Sequence, residues 1–171
     1  MKGYKFEAKP ENPYSSNKKS MYIIYLAGPL FTVAEKEFNS RLAESIRKKR
    51  NDLFVLLPQE SAAKFKNDKN KNQEIFRDCI DSINKADIMV ALLDGADADS
   101  GTSVELGYAY SKGKAILGIR TDFRISEEKG LNLMLPFSCT ELYLDTSATI
   151  DIIADKIIGF ADNHSNGLSH D

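Results

Sequence analysis

The stretch IMVALLDGADADSGTSVELGYAYSKGKAILGI, residues 88–119, decides the fold. It begins with the apolar run IMVALL (88–93) and ends with AILGI (115–119), and both runs have the length and composition of buried strands. Between them lie a polar loop with glycines and a run of small and apolar residues that looks helical. Strand, helix and strand in this order are typical of a parallel sheet with crossover helices.

The same alternation continues in both directions from this stretch. MYIIYLAG (21–28) predicts a strand that stops at Gly-Pro, and an amphipathic helix follows from Thr32, whose capping-box partner would be Glu35, to about residue 49. LFVLL (53–57) predicts the second strand, and LYL (142–144) predicts the fifth. We therefore expect an α/β fold, flavodoxin-like and three-layered, with a parallel sheet of about five strands.

Helices between and after these strands are indicated by apolar residues at helical spacing. These residues are Ile75, Phe76, Cys79, Ile80 and Ile83 before the third strand, and Ile150, Ile153, Ala154, Ile157, Ile158 and Ala161 near the end. The polar segment KFKNDKNKN (64–72) is interpreted as a solvated loop. We expect one domain over residues 21–162, a poorly ordered N-terminal extension over 1–20 and a polar tail over 163–171.

Composition narrows the classes of function. The net charge of −2 and the pI near 5.8 give no overall positive field, so we expect neither nucleic acid nor a membrane as a partner. Cys79 and Cys139 are far apart and lack a metal or redox spacing, which favours a reducing compartment. No apolar run approaches the roughly 20 residues that a bilayer requires. We expect a soluble, cytoplasmic protein.

The carboxyl ends of parallel strands meet at one edge of a sheet, where ligands bind. Four segments should converge there: AGPLF (27–31), PQE (58–60), DGADADSGTSVE (94–105) and RTDFR (120–124). None of them contains a histidine, since His164 and His170 lie in the polar tail. A Ser-His-Asp triad, a Cys-His pair and a histidine zinc site are therefore excluded, and no phosphate-loop motif is present. Carboxylate chemistry remains, with no metal and no cofactor.

Glu105 has a structural and a catalytic interpretation, and the pattern leaves both open. Thr102 and Glu105 have the T-x-x-E spacing of a capping box, in which the carboxylate only binds backbone N–H groups. A carboxylate in the first turn of a helix is also favoured in its ionised form, which a nucleophile needs. Asp99 could face the same crevice. Two carboxylates around a substrate suggest cleavage at an acetal-like carbon, by an N-glycosidic or an O-glycosidic route.

Five segments together resemble nucleoside 2-deoxyribosyltransferases over about residues 21–160. They are YLAGPLF, LLPQE, ADIMVALLDGADADSGTSVELGYAYSKGK, GIRTDFR and GLNLMLP, in this order. The resemblance implies an enzyme of nucleotide salvage whose substrates are a 2′-deoxynucleoside and a free nucleobase. Glu105 would attack C1′, the base would leave, and a second base would attack the covalent intermediate with net retention of configuration.

The resemblance also implies roles for other residues. Tyr25 would orient the nucleophile, and Asp99 would share a proton with the base; core filling and an Asx turn are their structural alternatives. The implied substrate-binding residues are Gly28, Pro29, Phe31, Gln59, Asp78, Gly101 and Asn132. Gly28 would let the backbone approach the sugar, and Phe31 would form a flat wall for the base unless it only packs the core. Gln59 would read the base.

Asn132 corresponds to an asparagine that the family contributes from a neighbouring subunit to the sugar 5′-hydroxyl, so a homo-oligomer is implied. One position departs from the family pattern: Cys79 stands where an acid is usual, and Asp78 is one step, about 100°, away on a helix. Asp94 and Asp122 are expected to bind loop backbone.

Two other functions remain open. One is a hydrolase of 2′-deoxynucleoside 5′-phosphates, and the other is a non-catalytic nucleotide-binding module. The hydrolase would want phosphate-binding Ser and Arg residues after the first strand. The segment GPLFT (28–32) offers none, and the next arginine is Arg41. A substrate with a free 5′-hydroxyl therefore fits the sequence better.

Overall fold

The computed structural model describes residues 21–65, 69–124 and 131–165 of the 171-residue chain. The five strands are β1 (Tyr22–Ala27), β2 (Leu53–Leu56), β3 (Ile88–Leu92), β4 (Ala115–Arg120) and β5 (Glu141–Leu144). All neighbours pair in parallel, in the order β2-β1-β3-β4-β5. This is the flavodoxin-like strand order, so the expected fold is confirmed. The expectation for residues 1–20 lies outside the described residues.

Helices cover both faces of the sheet. They are α1 (Val33–Lys49), α2 (Pro58–Ala62), α3 (Lys71–Lys85), α4 (Ser100–Ser111), α5 (Met134–Ser138) and α6 (Ile150–Ser165), with one 3-10 turn at Ala63–Phe65. Buried residues of α1 and α6 share one core, and those of α3, α4 and α5 share the other. The short helices α2 and α5 were not predicted, because five residues are too few to show a helical period. Over the described ranges, no helix is both long and apolar enough to cross a membrane.

Local signals explain the first half of the fold. The Thr32 hydroxyl accepts a hydrogen bond from the Glu35 backbone N–H at 3.2 Å, and the Glu35 carboxylate accepts one from the Thr32 N–H at 2.7 Å. The capping box predicted for α1 is therefore confirmed. In β1, Ile24 and Leu26 enter one core, while Tyr25 faces the other. Burial on both faces explains why this strand is a continuous apolar run.

Two helix boundaries differ from the sequence-based expectation. The loop predicted over residues 64–72 ends earlier, since α3 begins at Lys71. At the other end of the chain, α6 continues to Ser165, so the polar tail expected from residue 163 does not begin there. His164 lies in the last turn of this helix, with its Nδ1 atom 2.8 Å from the Phe160 carbonyl oxygen. The position of His170 lies outside the described residues.

The loops after β3 and β4 are braced against each other. The buried Arg120 guanidinium donates hydrogen bonds to the carbonyl oxygens of Leu93, at 2.6 Å, and Gly95, at 3.0 Å. Asp94 accepts hydrogen bonds from the backbone N–H of residues 121 and 122, and Asp122 accepts one from the Gly95 N–H. The backbone-binding roles expected for the two aspartates are confirmed. This bracing holds the β3–α4 loop at the carboxyl edge of the sheet.

Candidate active site

A tyrosine and a glutamate meet where the strand order reverses. Tyr25 lies on β1 and is only 1% exposed. Its hydroxyl donates a hydrogen bond of 2.7 Å to Oε1 of Glu105, which lies on α4, the helix that follows β3. In doubly wound sheets the ligand crevice lies at this reversal, between the first strand and the third. The fold thus brings together two of the residues singled out in the sequence, across 80 positions of the chain.

The start of α4 corrects the capping interpretation. The helix begins at Ser100, and its N-cap is Asp99, whose Oδ2 atom accepts hydrogen bonds from the Thr102 N–H at 2.8 Å and the Thr102 hydroxyl at 3.1 Å. The capping box considered for Thr102 and Glu105 is therefore wrong. Glu105 is the sixth residue of the helix instead of lying in its first turn. Its neighbours, and not the helix terminus, determine its charge state.

Opposing influences act on the Glu105 carboxyl group. Burial raises its pKa above the ordinary glutamate value, the hydrogen bonds from Tyr25 and Cys79 lower it, and the charge of Asp99 raises it. Burial, followed by the charge of Glu105, also raises the pKa of Tyr25 far above its ordinary value. The tyrosine therefore keeps its proton at neutral pH. It can act as a hydrogen-bond donor to the carboxylate throughout the physiological range.

The third group at this position is Cys79, from α3. Its thiol influences the pKa values of both Tyr25 and Glu105, which places it near the pair. Asp78, one residue earlier, accepts a hydrogen bond from the Ser61 hydroxyl of α2. The thiol thus occupies the place beside the glutamate. The neighbouring acid does not share it.

A cavity of about 180 Å³ lies beside this cluster. Tyr25, Asp78 and Cys79 are among the residues that line it. Phe54 of β2 and Pro58 of α2 contribute apolar surface. Charged side chains, those of Arg47, Glu60 and Lys64, also line the cavity, and a lining that mixes apolar and polar groups suits a small polar ligand.

The segment after β1 is shaped by close packing. A Cβ atom added to Gly28 would lie 2.9 Å from the Leu92 side chain, so a larger residue between the ends of β1 and β3 would require Leu92 to move. The Pro29 carbonyl accepts a hydrogen bond of 2.9 Å from the Asn39 side chain. Phe31 is 70% exposed and therefore does not fill the core, which removes the structural alternative considered for it. Its ring is free to contact a ligand.

Gln59 is held against α1 by both ends of its amide. Its nitrogen donates to the Lys36 carbonyl at 2.9 Å and to the Ser40 hydroxyl at 2.8 Å, and its oxygen accepts from Asn39 at 3.3 Å. Reading a base would require Gln59 to exchange these bonds.

At the start of α4, a Cβ atom on Gly101 would lie 3.1 Å from the capping oxygen of Asp99. Gly101 therefore leaves room for that cap.

Asn132 lies on the far side of α4 from Glu105. Its Oδ1 atom accepts a hydrogen bond of 3.0 Å from the Met134 N–H, and it lines a surface depression of about 480 Å³ with Ser103 and Gly107. Residues two positions apart on a helix differ by about 200°, so 103 and 107 face away from 105. Within one chain, α4 therefore separates Asn132 from the glutamate.

Two contacts at this site were missed by the sequence analysis. The thiol of Cys79 beside Glu105 carries no local motif, although its place in the apolar pattern of α3 indicated that it faces inward. The bond between Ser61 and Asp78 depends on α2, a helix too short to be recognised from its sequence. Both contacts arise from packing between elements.

Solved structures with the same fold include proteins from three bacteria. A conserved protein from Enterococcus faecalis V583 is 28% identical, with a TM-score of 0.67; the match covers 81% of this chain and 98% of that one. A 2-deoxyribosyltransferase from Bacillus psychrosaccharolyticus is 24% identical, with a TM-score of 0.61 and coverage of 78% and 90%. The CMP N-glycosidase of Clostridium botulinum is 16% identical, with a TM-score of 0.54 and coverage of 80% and 98%. The last two likenesses concern the fold alone.

A family model gives the more specific result. None of the curated proteins matches the chain at a significant level. The model described as nucleoside 2-deoxyribosyltransferase, however, matches residues 24–134, which is more than half of the chain and includes Tyr25, Glu105 and Asn132. Such membership implies an enzyme that acts on nucleosides and nucleobases, by glycosyl transfer or N-glycosidic cleavage. The chain belongs to the nucleoside 2-deoxyribosyltransferase family.

Proposed function

We propose that this protein transfers the 2-deoxyribosyl group from a 2′-deoxynucleoside to a free nucleobase through a covalent intermediate on Glu105. The observation that carries the proposal is the hydrogen-bonded pair of Tyr25 and Glu105 at the strand-order reversal. A carboxylate held by a protonated tyrosine in a partly buried place is a suitable nucleophile for a sugar carbon.

In the first step, a Glu105 oxygen forms a bond to C1′ while the bond from C1′ to the base nitrogen breaks. The electron pair of that bond leaves with the base, which takes up a proton. Positive charge develops on the sugar ring in the transition state, and the carboxylate stabilises it. The absence of a 2′-hydroxyl helps, because an electronegative oxygen beside C1′ would oppose this charge.

In the second step, a nitrogen of the incoming base attacks C1′ from the face that the first base left. The ester bond to Glu105 breaks, the carboxylate is regenerated, and the incoming base loses a proton. Two inversions give net retention. Asp99 is our candidate for the group that exchanges these protons, because its half-buried carboxylate precedes α4 and acts electrostatically on Glu105.

The far-side position of Asn132 supports an oligomer. Exposed apolar side chains lie on α4, on α5 and just before α5, which we call the α4–α5 face; they are Val104, Tyr110, Leu133, Met134 and Phe137, each more than half exposed. Apolar patches of this kind mark interaction surfaces. In our proposal a second copy docks here, and the partner's Asn132 binds the sugar 5′-hydroxyl.

Two arginines of α1 favour a nucleoside over a 5′-nucleotide, because Arg47, which lines the cavity beside Tyr25, is paired with the Glu60 carboxylate at 2.8 Å, and because of the position of Arg41. This arginine is exposed on α1 and lines a groove with Ile150 and Asp151 of α6. That groove lies on the opposite face of the sheet from Tyr25 and Glu105. The first arginine after β1 is therefore remote from the cluster that would hold the sugar.

Incubation with deoxyinosine and adenine tests the proposal. We expect deoxyadenosine and hypoxanthine, and a brief incubation without adenine should add the mass of one deoxyribosyl group to the protein. Glu105→Ala should lower the exchange rate by about three orders of magnitude or more and abolish the mass increase. The control is Glu37→Ala, which removes an exposed glutamate from α1.

Each alternative function gives a different product. Free deoxyribose without exchange indicates a hydrolase, and turnover of only the 5′-phosphorylated substrate indicates the nucleotide hydrolase. Binding without turnover of either substrate indicates a binding module. Exchange at the wild-type rate by Glu105→Ala would refute the mechanism.

A further inference from the structure

The short helix α2 forms part of the cavity wall although none of its five residues is buried. Pro58, Glu60 and Ser61 line the cavity beside Tyr25, and we call these three residues the α2 wall. Most helices in proteins are held in place by an apolar face that packs on the core. Because α2 has no such face, its position depends on the polar contacts that its side chains make with other elements.

Three successive side chains of α2 bind other helices. Glu60 pairs with Arg47 of α1, and Ser61 donates a hydrogen bond to Asp78 of α3. The ion pair is about 36% and 48% exposed on its two sides, so water screens it and it contributes little. Gln59 is not among the residues that line the cavity, and its amide binds α1 instead. It is therefore placed to act as an anchor behind the α2 wall.

Asn39 of α1 is the buried partner of Gln59. It is only 3% exposed, and its Nδ2 atom donates hydrogen bonds to the Pro29 carbonyl at 2.9 Å and to Oε1 of Gln59 at 3.3 Å. Both hydrogens of this amide are therefore used. Because backbone carbonyls can only accept, the Pro29 and Lys36 carbonyls fix the orientations of the Asn39 and Gln59 amides. One buried side chain thus joins the loop after β1 to α2.

We propose that Asn39 is a positioning residue that acts through Gln59 and holds the α2 wall in a fixed place relative to the loop after β1. The inference rests on the proposed function and deepens it, because the loop and the wall follow neighbouring parallel strands at the ligand-binding edge of the sheet. Gln59 is then an anchor and does not read the base. Walls that are already ordered lower KM, because the substrate does not have to order them when it binds.

Amide hydrogen exchange, followed by NMR, tests the bridge without any substrate. Asn39→Leu keeps the shape of the side chain and removes the donor. The side-chain amide protons of Gln59, assigned by their loss in Gln59→Met, should exchange about fivefold faster in Asn39→Leu, because the amide has lost a partner. The control is Asn84→Leu, which replaces an exposed asparagine of α3 and should leave this exchange unchanged. Should leucine prevent folding, as judged by thermal unfolding, Asn39→Ala replaces it.

The nucleobase exchange reaction supplies the second readout. Asn39→Leu and Gln59→Met should each raise KM for the deoxynucleoside about fivefold with little change in kcat, because neither change touches the pair of Tyr25 and Glu105. The double variant should raise KM no further than the more affected single variant, since both changes remove the same contact. Effects that multiply would show that Asn39 does not act through Gln59 and would overturn the proposal.

The identity of the base separates an anchor from a base-reading residue. In Gln59→Met the rise in KM should be the same for deoxyinosine and for deoxyadenosine, because an anchor does not contact the base. A rise with only one of the two nucleosides would show that Gln59 reads the base, and the anchor role would be refuted.

The two readouts fail separately. If the wild-type protein exchanges no bases, the proposed function is wrong, yet the NMR experiment still decides whether Asn39 holds Gln59. If base exchange occurs and depends on Glu105 while the Gln59 amide protons are insensitive to Asn39→Leu or Asn39→Ala, the proposed function stands and the role of Asn39 is refuted.

Discussion

Burial and hydrogen bonding act in opposite directions on the Glu105 carboxyl group. Burial disfavours the charged form, while the Tyr25 hydroxyl, 2.7 Å away, and the Cys79 thiol favour it. Because burial is the largest influence, the pKa of Glu105 is raised in the folded protein. A group with this balance is more basic than an exposed glutamate, and its negative charge weakens the fold at neutral pH.

Glu105→Gln should therefore stabilise the protein at pH 8. The folded protein binds the glutamate proton more tightly than the unfolded chain does, so this site's stabilising contribution is present at low pH and lost as pH rises through the raised pKa. The neutral amide avoids that loss and can still accept the bond from Tyr25. We expect a thermal midpoint a few degrees higher than the wild type at pH 8.

The gain should disappear below the ordinary glutamate pKa of about 4.5, where the wild-type carboxyl group is neutral in both states. Scanning calorimetry between pH 4 and pH 8 measures the difference. Glu37→Gln, on the exposed surface of α1, is the control and should show no such trend. A Glu105→Gln protein that is no more stable than the wild type at pH 8 contradicts this account.

At the scale of the element, Asp99, the N-cap of α4, has both a structural and a proposed catalytic role. Asp99 caps the helix through one carboxylate oxygen, which binds the N–H and the hydroxyl of Thr102. The cap sets where the helix starts, and the packing of the same helix brings Glu105 to Tyr25.

Two variants separate the cap from the proton transfer proposed for Asp99. Asparagine is as good an N-cap as aspartate, so Asp99→Asn should leave the free energy of unfolding nearly unchanged, whereas Asp99→Ala should lower it by about 1 kcal/mol. Urea unfolding measures both. Because the amide cannot exchange a proton with the base, both variants should exchange nucleobases slowly. If Asp99→Asn exchanges nucleobases at the wild-type rate, Asp99 only caps the helix and does not transfer the proton.

At the scale of the whole molecule, the monomer leaves its proposed site incomplete. Asn132 and Glu105 lie on opposite sides of α4, and the apolar side chains of the α4–α5 face are exposed. A two-fold interface presents the same surface on both copies, so each copy would complete the other's site. Activity and assembly are then inseparable.

Mixing two inactive variants tests this sharing. Glu105→Ala and Asn132→Ala should each be nearly inactive alone. Random exchange of subunits into dimers should restore about a quarter of the wild-type activity, because half of the dimers are mixed and each of these contains one intact site. The control mixes Glu105→Ala with Asp99→Asn. One chain supplies both Glu105 and Asp99 to a site, so a mixed dimer of these two variants contains no intact site and should stay inactive. No recovery in the first mixture, with mixed dimers demonstrated by mass, would refute a shared site.

The assembly itself has a matched pair of variants. Phe137→Glu on the α4–α5 face should give a monomer by sedimentation, since a charge there cannot be buried against a second copy. Ile152→Glu changes an exposed apolar residue of α6, on the opposite face of the sheet, and should leave the assembly unchanged. Equal behaviour of the two variants would contradict the proposed interface.

Much of the fold could be predicted because its signals are local. The five apolar runs, the periodic helices between them and the Thr32–Glu35 capping box each lie within a short window. The T-x-x-E spacing at Thr102 misled for the same reason: Asp99 competes for the same helix start and caps it instead. The end of α6 was misjudged because its last residues, including His164, are polar.

The sequence by itself determined the alternation of strand and helix, and with it a parallel sheet whose carboxyl edge holds the acidic loops. Apolar periodicity suffices for this, because burial on one or two faces leaves a repeating pattern along the chain. Only the tertiary structure decided that Tyr25, Cys79 and Glu105 share one cluster and that Asn132 faces away from it. Contacts between distant residues depend on helix rotation and packing, and no local pattern records them.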